Sequence, residues 1–64
     1  MATMHKAIKT GERTWDVGGI RLRYGRDFAG MRYLYALGAM QMRTKSKEAA
    51  IRDINNYLNN KGDN

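Results

Sequence analysis

Residues 19–37 read GIRLRYGRDFAGMRYLYAL, and the fold follows from how this stretch alternates. Ile20, Leu22 and Tyr24 fall on one side of an extended chain and Arg21 and Arg23 on the other, the period of two expected of a half-buried strand. Asp27 opens a turn and Gly30 ends it, as in a hairpin loop of four or five residues. The chain then returns with Met31, Tyr33, Tyr35 and Leu37 on one face and Arg32, Leu34 and Ala36 on the other. The stretch thus reads as two amphipathic strands that carry four arginines among aliphatic and tyrosine side chains.

The same period extends in both directions. Upstream, TWDV sets Trp15 and Val17 opposite Thr14 and Asp16, and Gly18-Gly19 forms a two-residue connection suited to the positive φ angles of a tight hairpin turn. Downstream, AMQMRT sets Met40 and Met42 opposite Gln41 and Arg43. One strand from Met31 to Thr44 would far outrun its partners, so Gly38-Ala39 reads as a tight turn, with a glycine-centred bulge as the alternative. Residues 1–12 have no clear period and read as a flexible basic arm or as one extra edge strand.

After Thr44 the period changes. Ala50, Ile51, Ile54, Tyr57 and Leu58 share one helical face. Ser46 is suited to cap the free N–H groups of the first turn, Glu48 to favour the positive helix end and pair with Arg52, and Gly62 to close the helix. A helix over about residues 46–60 is expected. Its apolar stripe and the apolar sheet face must bury each other, with Ile20, Leu22, Tyr24, Tyr33, Tyr35, Met40 and Met42 against Ala50, Ile51, Ile54 and Leu58. The expectation is an α+β fold, a three- or four-stranded antiparallel sheet packed on one C-terminal helix, as a single domain over residues 13–62.

Composition narrows the function. A 64-residue chain supports one small core; a domain of about 60 residues buries only about 60% of the surface its unfolded chain exposes. No cysteine is present, which removes disulfides, thiolate metal sites and thiol nucleophiles together. The single histidine, His5, has no cluster of carboxylates around it, Ser46 is the only serine, and no glycine-rich strand-to-helix phosphate loop occurs. No enzyme activity and no cofactor, metal or small-molecule substrate is expected. No apolar run approaches the roughly 20 residues of a membrane span, and MATMHKAIKTGE lacks an apolar signal core, so a cytoplasmic protein without a membrane partner is expected.

Charge is the strongest global signal. Twelve Lys and Arg against six Asp and Glu leave +6. Residues 13–47 hold eight basic and two acidic side chains, while residues 48–64 hold two basic and three acidic ones. The positive field therefore belongs to the strands, and such asymmetry points to a polyanionic partner. Alternation places Arg21, Arg23, Arg32, Gln41 and Arg43 on the sheet face that the helix leaves open. Arg26, Lys45 and Lys47 complete the candidate contact set.

TWDV, the basic strand IRLRYGRD and the junction RTKSKEAAIRDINNYL together resemble a known family. They are similar to the arm-type, AP2-like DNA-binding domain at the N-terminus of phage and transposon tyrosine recombinases, over roughly residues 13–58. MRYLYALGAMQMR departs from that pattern by being longer than its third strand. The resemblance implies insertion of the sheet face into the DNA major groove, with Arg21, Arg23, Arg32 and Arg43 reading or anchoring. Duplex DNA is the expected partner. Two alternatives are a phage-type inhibitor of a host defence complex, similar to anti-CRISPR proteins, and a single-strand binder. The latter requires the third long strand to be reversed, exposing Tyr33 and Tyr35 beside the arginines.

Overall fold

A computed structural model of the chain describes residues 4–61. Five strands follow in order, β1 (Ile8–Gly11), β2 (Thr14–Val17), β3 (Ile20–Asp27), β4 (Gly30–Leu37) and β5 (Met40–Thr44), and then one helix, α1 (Lys47–Lys61). The sheet is a meander, every strand antiparallel to its neighbour in the order β1-β2-β3-β4-β5. The architecture is the expected α+β fold with one more strand than the sequence suggested. Residues 8–11 add the edge strand β1, irregular where its register shifts between Lys9 and Gly11.

The turns explain the strand lengths. Gly18 and Gly19, with φ of 60° and 93°, form the two-residue loop between the paired residues Val17 and Ile20. Positive φ at both positions is what a type I′ hairpin turn requires, and its twist matches that of the strands. Gly38, at φ 66°, lies with Ala39 between the paired Leu37 and Met40, so the long run from Met31 to Thr44 breaks at a turn and contains no bulge there. The central hairpin is tighter than its sequence suggested. Asp27 pairs with Gly30, leaving Phe28-Ala29 as a two-residue loop, and the Ala29 N–H donates to Asp27 Oδ1 at 2.8 Å.

Helix α1 begins as expected. The Ala49 N–H donates to Ser46 Oγ at 3.3 Å and the Ala50 N–H to the Ser46 carbonyl at 3.1 Å, so Ser46 is the N-cap. Glu48 and Arg52 do not form the expected pair; among the described residues the ion pair within 4 Å is that of Arg43 with Asp27. Gly62 lies outside the described residues.

The core comprises Val17, Leu22 and Tyr35 from the sheet and Ala50 and Ile54 from the helix. Register explains the set, since Trp15, Leu22, Tyr35 and Met42 lie abreast on β2 to β5 and all face α1. Met40, expected in this core, is 63% exposed because it sits at the outer corner of edge strand β5. Asn55 is buried although polar. It is satisfied by the His5 N–H and carbonyl and by the Ile51 carbonyl, at 2.6, 3.0 and 2.9 Å respectively.

Candidate nucleic-acid interface

The sheet face away from α1 is assembled row by row. Thr14, Arg23, Leu34 and Arg43 lie abreast on β2 to β5; Asp16 pairs with Arg21 and Ala36 with Gln41, and the β3–β4 register carried one residue past Leu22 and Tyr35 brings these pairs into the neighbouring row. In each row β4 contributes an apolar residue, and β3 and β5 contribute polar or cationic ones. With strands about 4.8 Å apart, the β3 and β5 side chains stand as two ridges roughly 10 Å apart. The space between them is a groove of about 470 Å³, lined by Arg21, Arg23, Arg26, Gln41 and Arg43 over a floor of Leu34 and Ala36.

The β3–β4 hairpin gives the groove its end wall. Its pairing with β2 runs out at Arg23, extended only by the Tyr24 N–H bond to the Arg13 carbonyl at 2.9 Å, and pairing with β5 begins at Tyr33. Beyond those rows Gly25–Asp27 and Gly30–Arg32 pair only with each other, a two-stranded ribbon about 10 Å long. Arg43 Nε nevertheless lies 3.5 Å from Asp27 Oδ2. On a flat sheet those residues would stand about 17 Å apart, four residues along and two strands across. The ribbon therefore coils over the open face, with Gly25 on its concave side. An added Cβ there would stand 3.9 Å from the Arg23 guanidinium carbon and 3.8 Å from Leu34 Cδ1.

Arg43 is the junction of this end wall. Its guanidinium carbon lies 4.4 Å from the centre of the Phe28 ring, a cation–π distance, while its Nε faces Asp27. Asp27 Oδ2 is buried without a hydrogen bond and has Arg43 as its electrostatic neighbour. Phe28 itself is 85% exposed.

The eight residues singled out from sequence separate into groups. Arg21, Arg23, Arg26, Gln41 and Arg43 come together in the groove. Arg26 has the alternation of the helix side but lies on the free ribbon, and it nevertheless lines the groove. Arg32 holds its register on the open side, yet its Nη1 donates to the Met31 carbonyl at 2.8 Å and it does not line the groove. Lys45 is exposed between β5 and α1. Lys47 is on the other side of the sheet, its Nζ 4.8 Å from the centre of the Trp15 ring, with Lys9 Nζ at 5.3 Å from the same ring.

Sequence reasoning did not single out Leu34, Ala36, Asp27 and Phe28 as parts of this site. The signal for the first two was present in the alternation, which put apolar residues on a face otherwise cationic. Tyr35 is buried against α1, and Tyr33 packs at a tilt against Tyr24 and Trp15, at 4.6 and 6.0 Å between ring centres, on the helix side. Tyr33 does not line the groove, and Tyr35 borders it from β4 but is buried, its hydroxyl bonded on the helix side. Tyr35 Oη donates to Asp53 Oδ2 at 2.6 Å, and burial, reinforced by that carboxylate, pushes the phenol well above its ordinary value.

Among the described residues no three of His, Asp and Glu come together as a metal site requires, and no helix is long and apolar enough to cross a membrane. No protein-family model, curated protein or solved structure matches the chain.

Proposed function

We propose that this chain is a non-enzymatic DNA-binding module that lays β3, β4 and β5 against the major groove of duplex DNA. The observation that carries the reading is the register that sets Arg23 abreast of Arg43 and Arg21 abreast of Gln41, across a low apolar floor. The full sheet, about 19 Å across, is too wide for a major groove of about 12 Å, but β3 to β5 span only about 10 Å. Those are the strands that carry the arginines. An Arg fork matches guanine O6 and N7 or two phosphate oxygens, and Gln matches adenine N6 and N7. The charge asymmetry of the chain supports the same partner, because the groove faces away from the near-neutral helix.

A test of equal charge separates the groove from bulk electrostatics. Arg21→Ala with Arg23→Ala removes two charges from the open face, and Lys9→Ala with Lys47→Ala removes two from the Trp15 side. The first pair is expected to abolish duplex binding in an anisotropy titration, and the second to weaken it only modestly, with both proteins folded by circular dichroism. Equal losses would show that net charge alone attracts DNA. Absence of duplex binding at low salt by the unaltered chain, with one protein recovered tightly from lysate, would replace this reading by that of a protein-binding inhibitor.

A further inference from the structure

The open face is not uniformly cationic, and its apolar part stands outside the core cluster. Leu34 and Ala36 point away from the core, Ala36 exposed and Leu34 half-buried. Leu34 lies between Arg23 and Arg43, and Ala36 between Arg21 and Gln41. At the end of the same hairpin, Phe28 exposes 85% of its surface, although neighbouring residues fix its place. The Ala29 N–H bond to Asp27 closes the turn, and the Arg43 guanidinium covers part of the ring. The result is a short apolar strip of Leu34 and Ala36 bordered by hydrogen-bond donors, with the exposed Phe28 ring packed against Arg43, one of the residues that border it.

We propose that this strip reads the C5-methyl group of thymine, so that the preferred ligand is duplex DNA bearing thymine beside guanine or adenine contacts. The inference rests on the duplex-DNA reading and specifies what that surface selects. The thymine methyl is the apolar feature on the major-groove edges of the four bases, and side chains such as Ala and Phe recognise it by contact. The four groove arginines supply the charge complementarity that holds DNA there, with Asp27 the acidic residue of the groove. Phosphate attraction alone would need neither an apolar floor nor an exposed phenyl ring. A strip flanked by Arg and Gln places methyl contacts next to purine contacts, which turns an electrostatic surface into a selective one.

Replacing deoxythymidine by deoxyuridine removes the methyl and keeps every hydrogen-bonding atom. The full chain is titrated with a 20-base-pair alternating dA·dT duplex and with the same duplex carrying deoxyuridine throughout. Burial of one methyl corresponds to about a fourfold change in affinity, so the unaltered chain is expected to bind the thymine duplex at least about fourfold more tightly. In Phe28→Ala and Leu34→Ala the preference, read as the ratio of the two affinities, should shrink toward one. Phe28→Ala removes an exposed ring, so its fold should survive; Phe28→Leu should keep part of the preference. Equal binding of both duplexes by the unaltered chain overturns the inference and leaves the duplex reading standing. A preference that persists in both Ala variants also overturns it, because the methyl is then read elsewhere. No binding to either duplex, or to a G·C duplex, at low salt defeats the duplex reading and the inference with it.

Discussion

Asn55, buried on α1, holds the backbone of His5 by two hydrogen bonds, accepting from its N–H at 2.6 Å and donating to its carbonyl at 3.0 Å. The amide side chain thus acts as a one-residue strand partner for the segment leading into β1. Asn55→Leu would leave both His5 groups without these bonds, at a cost of about 1–3 kcal/mol. The expected outcome is a lower denaturation midpoint and faster hydrogen exchange at the His5 amide, with the Leu22 amide still exchanging through global unfolding.

The two glycines of the first tight turn should respond differently to substitution. Both have positive φ, so alanine is strained at either, by about 1–2 kcal/mol. A Cβ on Gly18 would also stand 2.5 Å from Leu58 Cδ1 and 3.0 Å from the His5 ring, whereas Gly19 has nothing within 4 Å. Thermal melts should rank Gly18→Ala clearly below Gly19→Ala. Equal losses would mean that the turn, and not the packing of Leu58 beneath it, sets the cost.

Ile54 is fully buried between sheet and helix. Ile54→Ala should cost about 2–5 kcal/mol. That is a large share of the roughly 3–10 kcal/mol expected for a domain of this length. Ile54→Asp places an unpaired charge in the same space and should leave the chain unfolded by circular dichroism.

Tyr35 gives the domain an alkaline limit. Its phenol is protonated in the fold to well above its ordinary value, while in the unfolded chain it ionises near pH 10. Above about pH 10 the unfolded state therefore binds fewer protons than the folded one, and stability falls as pH rises; below pH 10 the contribution is fully present. Tyr35→Phe should be less stable at neutral pH, through loss of the bond to Asp53, and should show a flatter decline above pH 10 in denaturant titrations. An unchanged alkaline slope would show that other groups set it.

Much of this was legible because glycine and alternation speak locally. Gly18-Gly19 and Gly38-Ala39 announced their turns, and the i, i+3, i+4 spacing from Ala50 announced α1. What escaped depends on distant partners. Asn55 stands in the run INNYLNN, where its spacing from Ile51 and Leu58 sets it beside the apolar stripe but names no polar partner, and that partner lies fifty residues away. Lys47 read as one of the candidate contacts, at the start of the helix. The first turn of α1 instead carries it to Trp15, on the opposite side of the sheet. Arg26 lines the groove and Arg32 turns back on its own backbone, both on the ribbon beyond β2 and β5, where strand period alone does not fix a side chain's neighbours.

The pairing of Asp27 with Arg43 sets the last expectation, because a phosphate and Asp27 compete for the same guanidinium. If Arg21, Arg23, Arg26 and Arg43 each meet a phosphate, log K should fall against log salt with a slope of about −3.6, from about −0.9 per contact. Asp27→Asn keeps an Oδ1 acceptor for the Ala29 N–H and removes the competing charge. The Arg43 side chain is 53% exposed, so the pair is screened and contributes at most about 1 kcal/mol. Releasing Arg43 should therefore tighten duplex binding by up to about fivefold. The salt slope should steepen toward its four-contact value if the unaltered chain falls short of it. Weaker binding by Asp27→Asn would instead show that the carboxylate holds Arg43 in the geometry that DNA needs, and Asp27 would then be a positioning residue.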